Sequence, residues 1–278
     1  MTTNGDSGDN VKVALVRHKW QADGLITDEY VATAAFTGLA ANASIIRNTI
    51  PTVEFAMASQ SGDVLNGQST EIYKFTVAAD DHEDVAIKQM KFEIDIVDND
   101  AVNDDTLTLG SFKLYRGSTD ITDDVAITTA DGATNLKTGS LSEGDNQVVV
   151  VRFINEEVIP AGSEYTYTLK ATPSGFEHDA DNDYFTVVML GDSSAAPYTY
   201  LSDSDDDASQ IIVCLADSDG DHETAANFIW SDNSAVPHNY TVVDDDDGGD
   251  PAPTSSGDWT NGYLVKNLDA MTTVTFTY

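Results

Sequence analysis

The run Asp217-Ser218-Asp219-Gly220-Asp221-His222-Glu223 places carboxylates at alternate positions around a glycine that permits a sharp turn. Calcium takes six to eight oxygens at about 2.3–2.6 Å, and a turn that aims several short acidic side chains inward supplies them. Glu177, Asp179, Asp181 and Asp183 form a second alternating set, and Asp203, Asp205 and Asp207, with Asp206, a third. These residues are the candidate calcium ligands. Two further acidic runs are weaker: Asp244 to Asp247 with Asp250, which ends in Gly-Gly-Asp-Pro like a loop, and Asp98, Asp100, Asp104 and Asp105. The first run is not an EF-hand, because its glycine follows the second Asp and no Glu occupies the twelfth position. The competing reading is that all these carboxylates are a solvated surface suited to a salty medium.

Other chemistry finds little support. His18, His82, His178, His222 and His238 form no H-E-x-x-H motif and share no short metal-ligand spacing. Cys214 is the single cysteine and lies in the apolar run 210–215, where a thiol behaves as a small hydrophobe, so no intrachain disulfide is expected. No phosphate-binding loop, dinucleotide fingerprint or nucleophile elbow is present. No catalytic residue is assigned, and the chain reads as a non-enzyme. Trp20, Trp230 and Trp259, with Tyr165, Tyr167, Tyr198 and Tyr200, could build a sugar-binding or subunit-contact platform, although such side chains more often pack a core. Asn42-Ala-Ser44 and Asn239-Tyr-Thr241 match the glycosylation sequon.

Charge narrows the partners. The 278 residues carry 48 acidic against 13 basic side chains, a formal net charge of -35. Nucleic acid is excluded as a natural partner, since binding a polyanion needs clustered Lys and Arg. An anionic membrane surface is disfavoured for the same reason. Most of the acids are Asp, which favours turns and ion-binding loops over helices. Such a surface repels itself in dilute salt, so high ionic strength or bound divalent cations are expected. The first ten residues contain no signal-peptide pattern, and no run approaches the roughly 18 apolar residues of a membrane span. An exported protein without its leader fits the composition better than a cytoplasmic one, and no membrane insertion is expected.

The elements that must position these loops are strands. Residues 71–77 alternate with Tyr73, Phe75 and Val77 on one face, and 91–97 with Phe92, Ile94 and Ile96 on one face and Glu93 and Asp95 on the other. Residues 111–116, 147–154 and 164–171 continue the pattern, between turn signals such as Asn66-Gly67 and Asp131-Gly132. The class is all-β, an antiparallel sandwich or barrel. Residues 29–39 are rich in Ala but interrupted by Thr33, Thr37 and Gly38, which makes a helix there weak. Three regions follow: 1–50, an N-terminal strand region; 51–200, the main sandwich; and 201–278, acidic loops with C-terminal strands. A terminal strand, around Val11–Arg17 or Thr272–Tyr278, could complete a neighbouring copy's sheet.

Residues 46–56, 71–80 and 85–94, with Asn227-Phe-Ile-Trp-Ser-Asp-Asn-Ser-Ala-Val-Pro-His238 and Asp258-Trp-Thr-Asn-Gly-Tyr-Leu-Val-Lys266, resemble the Ig-like surface proteins of Patescibacteria-type (candidate-phyla-radiation) bacteria. The resemblance spans about residues 43–268. It implies an Ig-like β-sandwich on the cell surface, in an S-layer or fibre, and carries no catalytic residues. The expectation is a self-assembling extracellular structural subunit, a homopolymer that is calcium-stabilised and joined by strand donation. Glycans are a candidate partner. The alternatives are a carbohydrate- or cell-binding adhesin module and a virion structural protein.

Overall fold

The structure, a computed structural model, describes residues 47–59, 61–99, 106–177, 182–192, 226–233 and 259–278, together with the strand backbone of 10–11, 17–22, 25–30 and 44–45. The chain divides into two compact units, Met1–Asn48 and Thr49–Tyr278.

In the first unit β1 (Asn10–Val11) pairs antiparallel with β4 (Ser44–Ile45), and β2 (Arg17–Ala22) with β3 (Leu25–Tyr30). Only Asp23 and Gly24 separate β2 from β3, the dipeptide favoured in two-residue hairpin loops. Register runs from Arg17 opposite Tyr30 to Ala22 opposite Leu25. Glu29 and Tyr30, from the Ala-rich stretch, are therefore strand residues. The remainder of that stretch lies outside the described residues.

The second unit is a β-sandwich. One sheet runs β10 (Thr119–Asp120), β9 (Thr108–Arg116), β14 (Glu164–Ser174), β7 (Thr70–Ala78), β5 (Thr52–Phe55), with β12 (Ser140–Ser142) also on β9. The other runs β11 (Val125–Thr129), β13 (Gly144–Ile159), β8 (Val85–Val97), β15 (Tyr184–Met189), β18 (Val274–Thr277), β6 (Ser61–Asp63). On it, β16 (Phe228–Ser231) joins the first half of β8 and carries β17 (Trp259–Asn261). The expected alternation appears in the packing: Tyr73, Phe75 and Val77 from one sheet and Phe92, Ile94 and Ile96 from the other are buried together. Tyr73 meets Phe92 edge-on at 5.6 Å between ring centres, and Phe75 stacks on Tyr167 at 5.5 Å. Each large ring buried here removes apolar surface worth about 2–3 kcal/mol from water. Among the described residues the only helical pieces are single 3-10 turns, at Thr122–Asp124, Gly262–Leu264 and Leu268–Ala270.

Three features depart from a plain antiparallel reading. First, β18 pairs parallel with β6, and a side chain on Gly62 would run into the Phe276 ring 2.6 Å away. The C-terminal strand is thus built into its own sheet, between β15 and β6, and Thr272–Tyr278 is not a free arm. Second, Phe228–Ser231 is buried along its whole length, with the Trp230 indole N–H donating to the Asn261 carbonyl at 2.9 Å. Third, β13 bulges. Arg152 faces Gln89 and Glu157 faces Ile87, so four residues of β13 stand opposite Lys88 alone.

Candidate functional site

Of the carboxylates singled out by spacing, Asp98, Glu177 and Asp183 are described; Asp100, Asp104, Asp105, Asp179, Asp181, Asp203, Asp205, Asp206, Asp207, Asp217, Asp219, Asp221 and Glu223 lie outside the described residues. So do Cys214, His178, His222, His238, Asn42, Asn239 and the run 244–250.

Asp183 is 2% exposed. Its Oδ1 accepts the Asn99 amide at 3.2 Å and its Oδ2 the Glu177 amide at 2.8 Å, while its carbonyl accepts the Tyr278 amide at 3.0 Å. One residue thereby gathers the chain just beyond the ends of β8, β14 and β18. Charge-assisted bonds to backbone amides offset the cost of burying the carboxylate. The described parts of two acidic stretches, Asp98–Asn99 and Glu177, meet here. With both Asp183 oxygens engaged by amides, its direct work is to hold the backbone; the exposed carboxylate of this set among the described residues is Glu177.

A carboxylate that spacing did not single out does more. Asp192 Oδ1 accepts the Asn227 amide at 2.9 Å, and Oδ2 accepts those of Phe228 at 3.1 Å and Gly262 at 2.7 Å. The Asn227 side chain returns a bond to the Gly191 carbonyl at 2.8 Å. Asp192 ties the starts of β16 and of the turn after β17 to the end of β15. Glycine is required at 262, where a Cβ would sit 2.8 Å from Asp192 Oδ2 and closer still to Leu268.

The one metal-capable group of His, Cys, Asp and Glu among the described residues is Asp80, Asp81 and His82, whose ligand atoms lie within 4.8 Å of one another. His82 Nδ1 stands 3.3 Å from Asp80 Oδ1 and 3.1 Å from Asp81 Oδ1. The Asp80 carboxyl titrates below its ordinary value: desolvation is the largest single influence and raises it, but the His82 amide, the Thr49 hydroxyl and the His82 imidazole together outweigh this. Two carboxylates on an exposed turn fall short of the six to eight oxygens calcium takes, so the fit to calcium is poor.

The interior also holds cations. Lys88 and Arg152 are only 5% and 6% exposed, flanking the buried Gln89. Lys88 Nζ donates to the Ile154 carbonyl inside the β13 bulge at 3.1 Å; Arg152 Nε donates to Gln89 Oε1 at 2.7 Å, and Gln89 Nε2 to the Ala226 carbonyl at 2.9 Å. Burial lowers the Lys88 amine to about 8 against the pull of Glu156, and lowers Arg152 to about 10. Nearby, Glu157 Oε1 accepts from Arg116 at 2.7 Å and from the Tyr167 hydroxyl at 2.9 Å, bridging the two sheets. Burial, then Glu157, raises the Tyr167 phenol. These groups secure a bulge and a sheet-to-sheet contact. Trp230, Trp259 and Tyr167 are buried and Tyr165 packs under Arg116, so these four build no exposed aromatic platform. Trp20 lies in β2, while Tyr198 and Tyr200 lie outside the described residues.

No protein-family model matches the chain, and no curated protein matches it. Among solved structures, a chain described as "AvmM Catalyzes Macrocyclization in Alchivemycin A Biosynthesis" aligns over 64% of this chain and 84% of that one, at 8% identity and a TM-score of 0.21. A likeness of that size carries no argument about activity. Among the described residues, no helix is long and apolar enough to cross a membrane.

Proposed function

We propose that this chain is a structural, self-assembling extracellular protein, the repeating subunit of a surface filament or layer, with acidic loops stiffened by calcium. The observation that carries the reading is the division of the chain. Met1–Asn48 is a compact unit of its own, whose described strands pair only with one another as two-stranded ribbons. Two-stranded ribbons are marginal alone and gain from a further strand. A second copy of the chain is the partner that a repeating subunit always has at hand. Calcium is supported by the meeting of two acidic stretches beside Asp183, where bound ions would relieve like-charge repulsion.

The test is negative-stain microscopy of the full chain in matched calcium and EDTA samples at fixed ionic strength. Ordered fibres or sheets that dissolve in EDTA are expected. Uniform small particles in both conditions would remove the polymer reading and favour a monomeric binding module. Assemblies indifferent to EDTA would remove calcium alone.

A further inference from the structure

The two units differ sharply in charge. Of the 48 acidic and 13 basic residues, five and four fall in Met1–Asn48, leaving 43 and nine in Thr49–Tyr278. The first unit is therefore near neutral and the sandwich intensely anionic. Arg17, His18 and Lys19 open β2 as three consecutive cationic or titratable residues, in register with Tyr30, Glu29 and Asp28.

The sandwich, for its part, treats its sheet ends unequally. At β11 the segment 134–137 lies alongside: the Leu136 amide donates to the Ile127 carbonyl, and Lys137 Nζ caps the carbonyls of Val125 at 2.9 Å and Thr122 at 3.2 Å. At β5 the Lys266 backbone exchanges bonds with Val53 and Pro51. The outer side of β9 is taken by β10 and β12. At β6, among the described residues, no strand or segment pairs on the side away from β18. Leu65 and Tyr278, 51% and 39% exposed, follow directly on the bond from the Val64 amide to the Thr277 carbonyl. An open edge with two exposed apolar side chains at its end is suited to receive a strand.

A short edge strand carrying Asp63 is also a common way of refusing partners. The charge distribution decides which partners are refused. Two sandwiches of this net charge repel each other, so edge-to-edge pairing of like units is penalised, whereas a near-neutral hairpin led by Arg17 and Lys19 is not.

Building on the self-assembly reading, we propose that the β2–β3 hairpin of one copy docks on the β6 edge of the next copy's sandwich, with Arg17 and Lys19 answering Asp63. Donor and acceptor are different surfaces, so the contact is head-to-tail and propagates as a filament.

The test uses the full chain in three forms beside the original: Arg17→Glu with Lys19→Glu, Asp63→Lys, and all three changes together. Polymer mass is read by sedimentation velocity and microscopy, with thermal melts as the folding control. Each charge reversal alone is expected to raise the concentration needed for assembly about tenfold or more, and the combination to restore most of it. If the original polymerises and the reversals do so equally well, the hairpin–β6 contact is wrong while the structural reading stands. If both reversals impair assembly but the combination does not recover, the two surfaces do not meet and the proposal is overturned. A chain that stays monomeric throughout removes both. If Asp63→Lys lowers the melt, Asp63→Asn replaces it: folded and partly impaired supports the proposal, folded and unimpaired overturns it.

Discussion

Asp192 and Asp183, on one side, and the turn Asp80–Asp81, on the other, hold the same side chain in opposite employment. The first two receive five backbone amides between them and join segments remote in sequence. The turn carboxylates lie at the surface beside an imidazole, and the amide that Asp80 accepts, at 3.0 Å, comes from His82 only two residues on. In a chain this rich in Asp, what a carboxylate does is decided by the amides aimed at it and not by the acids beside it. Clustering along the sequence, the feature that singles out an ion-binding loop, misses Asp192 altogether.

That contrast can be broken in order of expected effect. Asp192→Ala should cost most, about 3–5 kcal/mol, because it strands three amide donors where β16 and the turn after β17 meet β15. Asp183→Ala should cost about 2–4 kcal/mol by orphaning two. Urea unfolding measures both, and a loss under about 1 kcal/mol for either would show that water replaces the carboxylate. The contrast should extend to the opposite charge. Lys88, held down to about 8 by burial, carries fewer protons folded than unfolded between that pH and its ordinary value near 10.4. Stability should therefore rise with pH across this window, and the rise should vanish in Lys88→Met. The Tyr73 phenol, pushed up to about 12 by burial, acts in the other sense only as its ordinary value near 10 is approached. Melts at pH 8 and 9.5 isolate the lysine; equal slopes in both proteins would contradict it. The smallest effect belongs to the turn: Asp80→Ala should change stability by less than about 1 kcal/mol. Its depressed carboxyl adds stability above the unfolded value, lost as pH falls through the folded one. A larger loss at neutral pH would erase the distinction.

The sandwich faces were legible because a half-buried strand advertises itself at period two; Tyr73, Phe75, Phe92 and Ile94 are buried as that period requires. Lys88, Gln89 and Arg152 were not, because residues 85–90 and 149–153 are buried on both faces, where alternation expects polar side chains outside, and the β13 bulge turns the Ile154 carbonyl onto Lys88. No local pattern announces a bulge whose partner is a strand tens of residues away. Asp183 was marked as an ion ligand on spacing, yet the same spacing also serves a carboxylate that caps loop amides. Asp192 left one weak trace, a lone acid between a strand and a long polar stretch. Its partners at 227, 228 and 262 are set by topology alone.

The parallel pairing of β6 with β18 has a consequence in time. Ser61 finds its neighbour only once Thr275 is in place, so an early strand of the sandwich waits for the last one. Closing so long a loop is slow, and the sheet cannot complete itself piecemeal behind an advancing chain. Under the surface role proposed above, in which the chain is exported before it assembles, that delay would keep it pliable in transit and postpone its final shape until the whole sandwich has arrived.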